Sequence, residues 1–161
     1  MTRFTRSWTV LVPTKKRTQK TPRLPRKPSV QHEEMEQIDL IFWARKPETL
    51  TIYPELAWLY AIPNGGKRHV VVAMKMKAAG AKSGVYDLFL PVARRGFHGL
   101  YIEMKWGNND LSDEQKKFRQ FVIIEGYRTA TCYSSKEARQ AIEWYLMGNE
   151  KEFKQGYEDY Q

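Results

Sequence analysis

The apolar positions of this chain change period several times, and the changes divide it into elements. Between His32 and Arg45, the residues Met35, Ile38, Phe42 and Trp43 recur at helical spacing. They predict a first helix with those four side chains inward and Ser29 near its start. Pro47 ends that helix. Pro54 to Ile62 is a short apolar piece of no definite type, and it runs into Pro63-Asn64-Gly65-Gly66, a strong turn signal. His69 to Ala79 reads as a short helix or an extension of the turn, with Gly80 and Gly84 bracketing its end. Two alternating runs follow, Gly84 to Leu90 and Leu100 to Lys105. They are predicted as strands joined through Arg94-Arg95-Gly96-Phe97-His98-Gly99 into an antiparallel hairpin. Ser112 to Glu125 is predicted helical with Phe118, Phe121 and Val122 inward, Tyr127 to Tyr133 is a third strand, and Ser135 to Met147 a last helix. This order gives an α/β domain, a small mixed sheet flanked by helices.

Charged residues inside the predicted strands sharpen this picture. Asp87 interrupts the apolar run Val85-Tyr86-Asp87-Leu88-Phe89-Leu90, and Glu103 and Lys105 interrupt the next one. Side chains alternate faces along a strand, so Glu103 and Lys105 point one way while Leu100, Ile102 and Met104 point the other. The Glu-x-Lys pattern occurs two more times, at Glu114-Gln115-Lys116 and Glu152-Phe153-Lys154, but both lie in polar, helix-like surroundings. Only Glu103-Met104-Lys105 lies on a strand. An ionised carboxylate on a half-buried strand is costly unless it finds a cation. Two acids and a lysine in neighbouring strands are what a metal-dependent nuclease needs; the ordinary structural alternative is a buried ion pair.

Composition and charge set the boundaries. The 161 residues suit one domain with an ordinary core. Cys132 is the single cysteine, which excludes an intramolecular disulfide and a cysteine metal cage and fits a reducing interior. No apolar run approaches the roughly 18 residues of a membrane span, so a soluble protein of the cytoplasm or host-cell interior is expected, with no membrane partner. The net charge of +9 is localised: residues 1–30 hold nine basic residues and no acid, leaving 18 basic against 18 acidic residues in the remainder. Pro13, Pro22, Pro25 and Pro28 share that segment. Residues 1–30 are therefore expected to form a disordered basic arm, 31–148 the folded domain and 149–161 a frayed tail. The arm can add salt-dependent affinity for phosphates, or serve as a solubilising tail or transit peptide.

Several separated segments together carry a resemblance. They are Ile62-Pro63-Asn64-Gly65-Gly66-Lys67-Arg68, Gly80, Gly84-Val85-Tyr86-Asp87, His98-Gly99-Leu100-Tyr101-Ile102-Glu103-Met104-Lys105 and Leu111-Ser112-Asp113-Glu114-Gln115. In this order and spacing, over roughly residues 32 to 147, the chain resembles the virus-type replication-repair nuclease (VRR-NUC) family of the restriction-endonuclease-like, PD-(D/E)xK superfamily. One departure is visible: Tyr86 stands where the motif usually has proline.

The resemblance implies a restriction-endonuclease-like fold and hydrolysis of DNA phosphodiesters with Mg²⁺ or Mn²⁺. Asp87 and Glu103 would be metal ligands, since hard carboxylate oxygens suit such ions, and Lys105 would position water and stabilise charge on the phosphate. Family members also draw an acid from the first helix. Here Glu33, Glu34 and Glu36 compete; Glu33, Glu36 and Gln37 share a helix face that can look toward the hairpin, and Glu33 is favoured as the third metal ligand. Gln115 matches a catalytic glutamine of the family, although Ser112-x-x-Gln115 is also a capping box. For DNA, Asn64, Gly65, Lys67 and Arg68 with Lys75, Lys77 and Lys82 form an acid-free basic stretch, the glycine letting backbone N–H groups approach phosphate. Stand-alone members of the family are small, often phage-encoded, and resemble Holliday-junction resolvases, which implies branched DNA and a homodimer. The alternatives are a non-catalytic DNA-binding module, which leaves the strand acids unexplained, and a phage structural or accessory protein.

Overall fold

The computed structural model describes residues 28–63 and 70–148. The basic arm up to residue 27, the turn holding Asn64, Gly65, Lys67 and Arg68, and the tail from residue 149 lie outside the described residues. Helix α1 (Pro28–Ala44) is followed by a short helix α2 (Pro47–Ile52), a 3-10 turn (Pro54–Trp58) and a two-residue strand β1 (Tyr60–Ala61). Pro47 opens α2 at its first position, where the missing N–H costs nothing. Helix α3 (Val70–Ala78) precedes the hairpin β2 (Leu88–Leu90) and β3 (Leu100–Met104). Helix α4 (Asp113–Ile124) then crosses to β4 (Arg128–Cys132), and α5 (Ser135–Met147) closes the described chain.

The four strands form one mixed sheet in the order β1-β2-β3-β4. β1 and β2 pair antiparallel, as do β2 and β3, with Leu88 opposite Ile102 and Leu90 opposite Leu100. β4 lies parallel to β3, Glu103 opposite Thr131, a pairing that requires the α4 crossover. The hairpin turns tightly at Arg95 and Gly96, both with positive φ (55° and 81°), and Arg94 and Phe97 exchange backbone hydrogen bonds across it.

Alternation along the strands separates two environments. Leu88, Leu90, Leu100, Ile102, Met104, Ala130 and Cys132 face Leu40 and Ala44 of α1 and Ala138, Ala141, Ile142 and Tyr145 of α5, forming the core. Each fully buried leucine or isoleucine there contributes about 1.5–3 kcal/mol. The opposite face carries Phe89 and Tyr101, stacked at 4.3 Å, with Tyr101 meeting Phe118 of α4 edge-on. Glu103 and Lys105 belong to this second face, as the period of two predicts.

Three expectations need correction. The first helix turns a different face inward: Leu40 and Ala44 are buried, Ile41 and Trp43 pack against the core, but Met35 (66%) and Phe42 (69%) are exposed, and Ile38 is exposed with them. From Ile38 to Ala44 only Asp39 is polar, so periodicity cannot choose the face. Polar contacts choose it. Asp39 accepts from the Ser135 hydroxyl (2.6 Å) and from Arg139 (2.5 Å), and Glu36 accepts from the Ser135 backbone N–H (2.6 Å). In α4, Val122 is buried and Phe118 half-buried, but Phe121 is 59% exposed. The first strand of the hairpin begins at Leu88, so Asp87 precedes it; its carbonyl accepts from the Ile62 N–H at 2.7 Å.

Candidate active site

Asp87 lies one step beyond the Leu88–Ile102 pair, which places it alongside Glu103. Its Oδ2 accepts from the backbone N–H of Met104 at 2.9 Å. That bond ties the carboxylate to the end of β3 and fixes its orientation. Upstream, Gly84 passes so close to the first turn of α4 that a Cβ would sit 2.6 Å from Glu114 backbone and side-chain atoms, and its φ is +82°. Only glycine fits there. The approach to Asp87 is thereby pressed against the start of α4, which carries Gln115.

Glu103 is buried, with only 2% of its surface exposed. Its Oε1 accepts from Lys105 Nζ at 2.8 Å and also from Gln115 Nε2. Lys105 Nζ in turn donates to Gln115 Oε1 at 3.1 Å, and the Lys105 backbone N–H continues the sheet by donating to Cys132 O at 2.8 Å. Glu103, Lys105 and Gln115 thus form a closed triangle. Gln115 Oε1 also accepts from the Ser112 N–H (2.9 Å) while its own N–H donates to Ser112 Oγ (3.3 Å), completing the capping box of α4. The cap and the site contact coexist because the helix start faces the strand acids.

One atom stands apart. Glu103 Oε2 is buried and has no hydrogen-bond partner among the described residues, although an unmet buried carboxylate oxygen is costly. Burial, and next the neighbouring charge of Asp87, push the Glu103 pKa up to about 7 against the opposing pull of Lys105 and Gln115. Burial also raises the pKa of Asp87; the Met104 N–H and Lys105 oppose the shift and the charge of Glu33 adds to it. Two carboxylates side by side in a partly dry site, one with an oxygen left over, match the needs of a hard divalent cation. Mg²⁺ is held through one or two carboxylates, water and substrate phosphate rather than by a full protein cage. The residues fit such an ion as a pair. Among the described residues, no group of three or more His, Cys, Asp or Glu side chains is placed to hold a metal, so the fold does not gather Glu33 into a three-carboxylate cluster.

Glu33 nevertheless separates itself from its rivals. Its Oε1 accepts from Asn109 Nδ2 at 3.0 Å, and it lies near enough to act on Asp87. Glu36 is committed to the N-terminus of α5 through Ser135, and Glu34 is exposed. Tyr86, at the motif's proline position, is fully buried and tilted against Phe118 at 5.6 Å. Burial pushes its hydroxyl up to about 12, opposed by a hydrogen bond with Thr131. It packs the sheet under α4 and leaves Asp87 in place. Of the basic stretch, Lys75 and Lys77 are exposed on α3 and Lys82 is exposed in the segment leading to Asp87. Sequence reasoning missed Asn109, Trp106 and the Met104 N–H; the first two lie in a turn-rich segment, Trp106-Gly107-Asn108-Asn109-Asp110, whose composition signals a loop and nothing more.

Comparison with known proteins agrees with this architecture. The family model described as "VRR-NUC domain" matches residues 30–136. A solved structure described as a VRR_NUC domain protein is similar at 26% identity and a TM-score of 0.57, over 71% of this chain and 87% of the other. No curated protein gives a match. Among the described residues, no helix is long and apolar enough to cross a membrane.

Proposed function

This chain belongs to the VRR-NUC domain family, a nuclease-type domain with DNA as its partner, and from that premise we propose that it is a Mg²⁺- or Mn²⁺-dependent nuclease of the PD-(D/E)xK type. One observation carries the reading: Glu103 has one oxygen locked by Lys105 and Gln115, and the other buried beside Asp87 without a partner among the described residues. Asp87 and Glu103 would hold the ion, with Glu33 at the margin of the pair. When bound, the ion supplies Lewis acidity toward the scissile phosphate and acidifies water. Lys105, fixed on Glu103 and Gln115, brings a positive charge to the place where the phosphate gains negative charge, and its ammonium can orient the attacking water. Gln115 keeps the lysine and the glutamate in register. The Met104 N–H holds Asp87 facing them.

The preferred substrate in this reading is branched DNA, a four-way junction cut symmetrically by a homodimer. Support for a second copy is that α3, nine residues long, exposes Val71, Val72 and Met74. A helix that short is marginal in water unless its apolar side is covered. Lys75, Lys77 and Lys82, with Asn64, Gly65, Lys67 and Arg68, are the proposed contacts to the DNA backbone.

A cleavage panel of four-way junctions, flaps, single strands and plain duplex, with Mg²⁺ and with Mn²⁺, tests the proposal alongside a mass measurement in solution. Asp87→Ala is expected to lose cleavage while retaining DNA binding. Wild-type protein that cuts none of these substrates with either ion overturns the enzyme reading. A monomeric mass overturns the paired-cut reading alone.

A further inference from the structure

The segment linking β3 to α4 touches α1 at two consecutive residues. The Trp106 ring stacks on His32 with centroids 4.1 Å apart and planes 12° from parallel. Three residues later, Asn109 Nδ2 donates to Glu33 Oε1 at 3.0 Å. The two gripping residues belong to one tight turn: Asn109 N donates to Trp106 O at 3.1 Å, and Gly107 between them has a φ of 59°. Beyond the turn, Asp110 accepts from the Leu111 N–H (2.7 Å) and pairs with Lys116 (2.9 Å). The turn is therefore anchored to α4 on one side and to Lys105, its immediate neighbour in sequence, on the other.

We infer that this turn is a positioning clasp, with Asn109 orienting Glu33 toward the Asp87–Glu103 pair and the Trp106–His32 stack fixing the height of α1 above it. The argument is geometric. Glu33 projects from a helix whose deep anchor points, Asp39 and Glu36 on Ser135 and Arg139, lie one to two turns farther along. A glutamate has three rotatable bonds, so without a local contact its carboxylate samples many positions. The amide of Asn109 holds one of the two carboxylate oxygens. An outer partner that orients a metal-ligating carboxylate commonly governs metal affinity. The inference rests on the proposed metal role of the Asp87–Glu103 pair, with Glu33 acting at its margin.

Mn²⁺ binding to the DNA-free protein, measured by calorimetry and by the spin-resonance signal of free Mn²⁺, tests the clasp without reference to cleavage. Asn109→Ala is expected to weaken Mn²⁺ binding by about 10-fold, with Glu33→Gln weakening it at least as much. The double variant is expected to be no weaker than Glu33→Gln alone, because Asn109 acts only through Glu33. Asn109→Leu, which has the same number and branching of side-chain heavy atoms but cannot donate, is expected to match Asn109→Ala, and circular dichroism verifies that each variant is folded. If Glu33→Gln weakens binding and both Asn109 variants leave it unchanged, the clasp is refuted while the metal site stands. Additive losses refute it as well. Mn²⁺ affinity unaffected by Asp87→Asn refutes the underlying site, and the clasp with it.

Discussion

Gln115 does two jobs at once, and a pair of substitutions separates them. Ser112→Ala removes the hydroxyl that receives the Gln115 N–H at 3.3 Å but leaves the Gln115 side chain on Glu103 and Lys105. Loss of such a cap costs about 1 kcal/mol of stability, and cleavage should stay within about twofold of wild type, since no group on the carboxylate pair changes. Gln115→Leu removes the acceptor for the Ser112 N–H and for Lys105, and also the donor to Glu103. Its stability loss should be similar, about 1–2 kcal/mol. Its rate loss should not be similar. A hydrogen bond to a charged group is worth about 1.5–3 kcal/mol; if that is realised in the transition state it corresponds to roughly 10- to 150-fold in kcat. Urea unfolding gives the stability arm, and single-turnover cleavage at saturating Mg²⁺ gives the rate arm. Equal rate losses in the two variants would refute the reasoning, because they would show that ordering of the α4 start alone, and not the side-chain triangle, carries the effect.

Two further outcomes follow from the packing. Leu40→Ala should cost about 2–5 kcal/mol, whereas Phe42→Ala, at an exposed position of the same helix, should fall near the surface range of about 0.5 kcal/mol; urea midpoints in the reverse order would show that α1 presents its other face to the sheet. Cys132 is fully buried in β4, and burial, with a smaller push from Glu137, raises its thiol from 9.0 to about 12. A thiol-specific reagent at pH 8 should therefore label it only after denaturation. Because the folded pKa lies above the unfolded one, the thiol's contribution to stability is intact below about pH 9 and is lost as pH rises from there toward 12. Cys132→Ala should flatten that part of the alkaline unfolding profile; an unchanged profile would count against the assignment.

Much of the site was legible because strands and caps obey short, local rules. A period of two is enough to put Glu103 and Lys105 on one face, and Ser112-x-x-Gln115 announces a helix start within three residues of its cause. Ser135 to Met147 was readable to its ends for the same reason: Ser134 caps the helix through the Glu137 N–H, and Gly148 closes it in the left-handed conformation. What escaped was settled by distant partners. The inward face of α1 depends on Ser135 and Arg139, about a hundred residues away, and α1 is apolar on nearly every side where it meets the sheet. The same partners distinguish Glu33 from Glu36. Asp87 looked like a strand residue because its neighbours are apolar, yet the ladder to β3 starts only at Leu88, and the carboxylate reaches β3 through its side chain instead.

The bond between Ser135 and Glu36 spans 99 residues, and this has a consequence for synthesis. A ribosome adding about 5–20 residues per second produces Ser135 roughly 5–20 s after Glu36. Throughout that interval α1 lacks its α5 partner, and Leu40 and Ala44 can pack only against the strands already made. The hairpin can pair before then, but the polar contacts that fix the face of α1 form only once α5 is made. A nascent chain therefore holds Asp87 and Glu103 for seconds before it holds the helix that locks α1 in place.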